Sequence, residues 1–504
     1  MNKDLLYLPE HCYALLPKSG ELVRITRGGS GYQHSPLDKG NRQENRLIAD
    51  RENAALGGVT AEQEQDMVDG AIFGWELIQF RNGGLLPKSK IFQVEIGNGG
   101  PKSYETSVTL ELPATWAELN DALQMARIED SRHCKNQVLS SRRKELPPSL
   151  IGRNGNLLEL NLLAQRLTML TDDQECGFEG LLKMEQEKRS GPIPIPRLIN
   201  LTFNADNCCV ASCIHNHKEL GALLFDSEML PDEAAALLET TEPDSEYRGE
   251  LLALFGKKHL EDEGGVLTSR GFYVELSGEL EEVYVPGEMA YFQRTDAPVV
   301  LEVCKGFFDA PANDKGLAAG LDLPAMAGAV DRAVEAVGAA SAKECGFRCA
   351  DCLIPAAIGW INDAIDEEGG IEQANDFAKL LYQKRRVWHE TDLVKYKALL
   401  AASGCAGLED AVKLAEELDQ YDLRPEIAGP WDYAEARTRE RCTDLPAALL
   451  QSLLFQTRQA TQAGQEMMEQ ENAAMTDYGL IRRKDGQPLP ELRQEAGGMT
   501  QRME

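Results

Sequence analysis

Three cysteines, Cys345, Cys349 and Cys352 in the run CGFRCADC, have the spacing with which a chain can hold a [4Fe–4S] cluster. Three thiolates leave one iron open, so the pattern has chemical meaning. A fourth ligand from elsewhere, such as Cys405, would make the same residues a structural zinc site. A second group, Cys208, Cys209, Cys213, His215 and His217, is rich in donor atoms but lacks the paired Cys-x-x-Cys spacing of common zinc sites. In both places the plainer expectation is thiols packed as small hydrophobes, with the Cys345 run at the start of a helix. The 12 cysteines are scattered over 504 residues, and the first residues have no apolar run of signal-peptide length, which favours reduced thiols and a cytoplasmic protein. No P-loop, Gly-x-Ser-x-Gly or His-Glu-x-x-His occurs, and none of the seven histidines sits in an acid/base setting. The expectation is a protein that is not an enzyme and needs no cofactor.

Carboxylates are the other chemistry-bearing group. The formal net charge is −30, and residues 221–290 hold seventeen acidic side chains against four basic ones. They are Asp226, Glu228, Asp232, Glu233, Glu239, Glu242, Asp244, Glu246, Glu250, Glu261, Asp262, Glu263, Glu275, Glu279, Glu281, Glu282 and Glu288. A field of that sign repels nucleic acid and attracts basic protein surfaces. Residues 1–90 are close to neutral, so the N-terminal segment has a different kind of surface.

The elements that must carry these groups show a long-period repeat. FQVEI and then VTLELPATWAELNDAL read as strand, strand ending in Leu-Pro, and helix, and the order returns in VVLEVCKGFF and GLDLPAMAGAVDRAV. Further on, LLELNLLAQRL returns as IEQANDFAKLL, FEGLL as YKALL, and LTSRGFYVELSG as MTDYGLIRRKDG. In the last pair Thr268, Gly271 and Gly278 match Thr476, Gly479 and Gly486. A nearly constant offset through so many segments points to a duplicated module of about 200 residues. With 43% hydrophobic and 27% charged residues, the chain suits several globular units. The expected fold class is α+β: a small N-terminal domain over 1–88 with a hairpin and helices, modules over 89–290 and 297–490, and a flexible tail over 491–504.

The runs RLINLTFNADNCC (197–209), KELGALLFDSEMLP (218–231) and EDEGGVLTSRGFYVELSGELEEVY (261–284), together with LPATWAEL and LLELNLLAQRL, resemble the ArdA family of antirestriction proteins. The resemblance covers residues 91–290; the second module keeps the Leu-Pro, the helical hairpin and the Thr-x-x-Gly ending but not the Glu-Gly-Gly turn or the NLTFN run. It implies an elongated protein of mobile DNA that imitates duplex DNA and occupies the DNA channel of type I restriction-modification enzymes, usually as a dimer. Duplex DNA carries one negative charge per about 1.7 Å of axis, so a basic groove should accept a rigid row of carboxylates in its place. The acidic residues named above are then the partner-binding set, with no direct nucleic-acid or membrane binding. The two modules could pair within the chain, or the chain could form a homodimer. The basic run SRRKEL (141–146), with Arg132 and Lys135, interrupts the negative surface.

Two rivals compete with this expectation. One is an acidic adaptor or scaffold of a mobile genetic element, without DNA mimicry. The other is an iron–sulfur or zinc enzyme using Cys345, Cys349 and Cys352. Their spacing resembles that of radical SAM enzymes, but Asp351 stands where that family has an aromatic, and the helical remainder is too short for a barrel.

Overall fold

Alternation of apolar and polar residues in FQVEIG makes a strand with Phe92, Val94 and Ile96 buried and Gln93 and Glu95 exposed. A strand opens each of two successive halves of an α+β chain, alternating in the first and buried from Val299 to Cys304 in the second. The computed structural model describes residues 11–16, 20–28, 31–37, most of 40–68, 90–286 except 101–102, 297–308, 318–366, 370–441 and 458–492. Glu288 and most of the residues at the joins between the expected units, 81–90 and 285–298, lie outside the described residues.

The N-terminal unit has β1 (His11–Leu15), β2 (Leu22–Gly28), β3 (Gly31–Pro36) and α1 (Arg42–Ala55), with the strands antiparallel in that order. The hairpin and the helix were legible; the third strand was not. Asn41 caps α1 in a capping box with Glu44, and Asn53 on α1 exchanges hydrogen bonds with the backbone of Tyr13. Its small core of Cys12, Ala14, Val23, Ile25, Met67 and Val68 is separate from the others.

The first half follows as β4 (Phe92–Gly97), β5 (Val108–Leu112), α2 (Trp116–Met125), β6 (Lys135–Ser141), α3 (Leu157–Met169), α4 (Asp172–Lys188), α5 (Ile195–Phe203) and β7 (Cys208–Ser212). It closes with α6 (His217–Asp226), α7 (Asp232–Glu239), α8 (Glu246–Glu263), β8 (Val266–Leu267) and β9 (Phe272–Leu276). The second half runs β10 (Val299–Lys305), β11 (Ala318–Leu323), α9 (Ala327–Ala336), β12 (Cys345–Cys352), α10 (Ile358–Asp366), α11 (Gly370–Arg385), α12 (Glu390–Ser403) and α13 (Leu408–Glu416). It ends with β13 (Tyr421–Arg424), α14 (Pro430–Arg441), α15 (Arg458–Gln470), β14 (Ala474–Thr476) and β15 (Gly479–Arg483).

The correspondences between the halves are structural as well as sequential. Sheet order is β5-β4-β6 in one and β11-β10-β12 in the other, and the closing sheets are β7-β9-β8 and β13-β15-β14, all antiparallel. A register shift interrupts the central strand at the same point, between Gln93 and Val94 and between Val300 and Leu301. Each Leu-Pro is a cis peptide, and the following alanine is held by an asparagine, buried in the first half and half-buried in the second: Asn161 Oδ1 accepts from Ala114 N at 2.7 Å, and Asn375 Oδ1 from Ala325 N at 2.7 Å. Tight helix crossings recur too. A Cβ on Gly256 of α8 would strike the His217 carbonyl, and one on Gly464 of α15 the Pro430 carbonyl, so only glycine lets either pair approach so closely.

Each half buries its own core. Phe92, Leu112, Leu163, Phe178 and Leu198 centre one, and Leu301, Phe377, Tyr396, Leu399 and Tyr421 the other. The segment after the last strand folds back over the helices in both, placing Tyr284 in the first core and Leu489 and Leu492 against the second. Leu492 N donates to Ser403 O at 2.9 Å, and apolar contact holds the segment through Leu492, two residues into the tail expected to be flexible. Residues 493–504 lie outside the described residues.

The halves touch through α2. Lys397 of α12, whose side chain is 2% exposed, donates to Asp121 Oδ1 at 2.7 Å and to Gln124 Oε1 at 2.9 Å. Tyr478 OH donates to the same Asp121 oxygen at 2.9 Å. Around this node Thr115 Oγ1 donates to Asp351 Oδ1, Arg127 Nη2 donates to Ile427 O, and Met125 packs on the second core. Burial lowers the Lys397 pKa, and the Asp121 carboxylate works against that shift.

Candidate functional site

The cysteine pattern has a packing explanation. CGFRCADC is strand β12, not a helix start, so the expected helical setting is corrected. Cys349 and Cys352 are buried in the second core and Cys345 packs against it. In a strand alternate residues share a face, and the extra residue of the register shift moves the core face by one. A spacing of four and then three is therefore what a bulged strand needs to send three cysteines into one core. Burial pushes the Cys352 thiol up to about 12 and raises Cys345 and Cys349 as well. Cys405 is also buried and donates to the Gly407 carbonyl.

The second donor group is dispersed. Cys208 lies partly buried on β7 and is pushed up to about 12 by burial, and the neighbouring Cys209 is exposed beside Ser277 Oγ at 3.1 Å. His215 pairs through Nδ1 with Glu219, and His217 begins α6. Among the described residues no three His, Cys, Asp or Glu side chains are grouped to hold a metal ion.

The carboxylates fall into two sets held by different means. Asp226, Glu228, Asp232, Glu233, Glu239, Glu242, Asp244, Glu246, Glu250, Glu261, Asp262 and Glu263 are all exposed on α6, α7, α8 and their turns. Apolar contact fixes these helices from beneath: Leu220 and Leu224 in one cluster, Leu238, Leu251 and Leu252 in another. Gly221 and Gly256 bring α6 and α8 into backbone contact, and Gly264 ends α8 with φ of 74°. Gly265 has no room for a Cβ beside the Tyr273 ring, which accounts for the Glu-Gly-Gly turn.

The second set, Glu279, Glu281 and Glu282, is exposed on the segment after β9. Asn204 Oδ1 accepts from Glu281 N at 2.8 Å while its Nδ2 donates to Glu281 O at 2.8 Å. Asn200 clamps Tyr284 in the same two-way manner, and Tyr284 OH donates to the buried Glu159 at 3.0 Å. The NLTFN run thus supplies two buried amides, four residues apart on one helix face, that pin the acidic segment.

Few of these charges are met within the chain. Among the described residues, only Glu261 of the fifteen exposed carboxylates has a basic side chain in ion-pair range, Lys257 at 3.8 Å. Glu275 differs from the set: it accepts from Tyr273 OH at 2.6 Å, lies 3.6 Å from His259 Nε2, and is half-buried. Part of the basic run at 141–146 is turned inward, since Arg143 pairs with Glu175 at 2.5 Å and donates to the Leu167 carbonyl.

In the corresponding unit of the second half several acids are met by arginines. Glu471 is met by Arg437, Arg441 and Arg482, Glu440 by Arg424 and Arg437, and Glu435 by Arg439. Burial opposes ionisation of Glu471, yet hydrogen bonds from Tyr433 and Arg437 outweigh it and hold the carboxyl below the usual glutamate range. Sequence reading of single segments does not reveal this contrast, because the arginines come from α14, β13 and β15 and meet the acids only in three dimensions.

No protein-family model, no curated protein and no solved structure matches the chain. No helix of the described residues is long and apolar enough to cross a membrane.

Proposed function

We propose that the first half is an acidic protein-binding module that competes with duplex DNA for the basic groove of a type I restriction-modification enzyme. The observation that carries this reading is the set of fifteen exposed carboxylates from Asp226 to Glu282, fixed on a rigid frame and almost without basic partners. Surface acids that merely solvate a fold need no such frame. Here glycine crossings and two asparagine clamps hold the backbone beneath them. A groove built for phosphates would exchange its counterions for these carboxylates, and no bond need break. The ArdA-like runs are the ones that build this frame, and their loss in the second half coincides with arginine-paired acids there. The reading therefore places the activity in the first half, in the cytoplasm, without a cofactor.

A second reading has one observation in its favour: Lys257 and Lys258 stand exposed on α8 beside Glu261, which suits an adaptor for a mixed-charge protein surface better than a uniform phosphate mimic. Competition assays separate the two. The chain should displace duplex DNA from a type I methyltransferase at low salt and less well at high salt. Replacing Glu261, Asp262, Glu263, Glu281 and Glu282 with Lys should abolish the displacement, whereas Asp363→Lys with Asp366→Lys should leave it nearly intact. Tight duplex binding by the chain itself, or equal damage from both sets, would overturn the mimic reading; enzyme binding without displacement would favour the adaptor.

A further inference from the structure

The contact between the halves is one-sided. Helix α2 of the first half inserts Asp121 and Gln124 between Lys397 and Tyr478 of the second. The second half has the same helix, α9, and the first half has the same receiving site, on α4 and before β9. Counted from the Leu-Pro, Arg332 and Glu335 occupy the positions of Asp121 and Gln124. Counted from the N-caps Thr171 and His389, Glu179 stands where Lys397 does, and Arg270 precedes Gly271 as Tyr478 precedes Gly479.

The second pair of surfaces has the charges reversed. On α9, Arg332 and Glu335 are exposed, and Met326 at the position of Thr115 is 85% exposed. At the receiving site Glu179 is 6% exposed; Oε1 accepts from Ser269, Oε2 lies 3.7 Å from Arg270, and Oε2 is buried without a hydrogen bond. Arg270 is half exposed above it. An acidic helix thus meets a lysine within the chain, while the arginine-bearing face of α9 and the arginine that covers the buried Glu179 are exposed.

We propose that chains associate head to tail, with α9 of one copy docking on α4 and the β8–β9 turn of a second copy, Arg332 against Glu179 and Glu335 against Arg270. The contact repeats between chains the geometry that already joins the halves within one, and it gives the half-exposed Arg270 and the exposed Arg332 and Glu335 opposite charges to meet. Such a heterologous contact closes into a ring if two chains satisfy each other and otherwise propagates. The inference does not depend on the proposed function.

The test is the mass of the full chain in solution by analytical ultracentrifugation over a concentration series at low and high salt. Mass should rise with concentration and fall back with salt. Arg332→Glu, at an exposed helix position, should weaken association about tenfold or more, and so should Arg270→Glu or Glu335→Arg alone. Arg270→Glu combined with Glu335→Arg in one chain should restore it, because the pair is then swapped. All three substitutions fall on exposed side chains, and circular dichroism checks that each of the four variants is folded. A chain that stays at its single-copy mass at low salt, single variants that associate like the parent, or a swapped pair that fails to recover would each overturn the proposal.

Discussion

The two halves share the order of their two sheets and much of the order of their helices, and they treat charge differently. In the first, acids on α6, α7 and α8 face solvent with one lysine within reach, and Asp121 on α2 is buried against the other half. In the second, arginines of three elements close on Glu471 and Glu440, and the residue at Asp121's position, Arg332, is exposed. The difference shows that a shared frame does not fix a surface. Glycine crossings, the cis Leu-Pro and the asparagine after it are common to both halves because the backbone needs them. Charges at outward positions are set by what each half must meet.

The largest expected effect tests the buried node. Asp121→Ala leaves Lys397 charged and uncompensated inside the protein, a loss of about 3–5 kcal/mol in urea unfolding, while Arg332→Ala should cost within about 0.5 kcal/mol. Similar losses at the two positions would mean that the contact between halves contributes nothing. Next comes Asn200→Ala, which removes both hydrogen bonds to the Tyr284 backbone and should cost about 2–4 kcal/mol. The corresponding Lys413→Ala, on a side chain 67% exposed, should be near neutral. Gly256→Ala and Gly464→Ala sharpen the comparison from the other side: each Cβ meets a carbonyl, so both should destabilise by about 1–3 kcal/mol and by similar amounts.

The smallest effect is on acid stability. Glu471 and Glu440 have lowered pKa values, so their contribution is present above the ordinary glutamate range near about 4.3 and is lost as pH falls through the lowered values. Glu471→Gln should flatten the acid limb of the second half's unfolding profile. An unchanged limb would show that the arginine cluster carries no pH dependence.

Much of the frame was legible in the chain. The strand, strand, helix openings, the helical hairpins and the Thr-x-x-Gly endings follow from periodicity and glycine placement, because side-chain alternation and left-handed turns are local demands. Strands β6 and β12 were missed as strands. KNQVLSS has few apolar residues, and the cysteine spacing of β12 fits no uniform period because a bulge breaks it. The arginine network of the second half and the asparagine clamps were illegible for another reason: each joins residues distant in sequence, as Asn200 and Tyr284 are.

By itself, then, the sequence determined the α+β class and the concentration of carboxylates between Asp226 and Glu288, both of which rest on residue type and local spacing. Only the tertiary structure decided which acids stay unpaired, which cysteines merely fill a core, and which face of one half is covered by the other. Those outcomes depend on what a side chain meets across the fold, and Asp121 illustrates the point. It is an ordinary helix-surface residue in sequence, and it is buried because Lys397 and Tyr478 come to it.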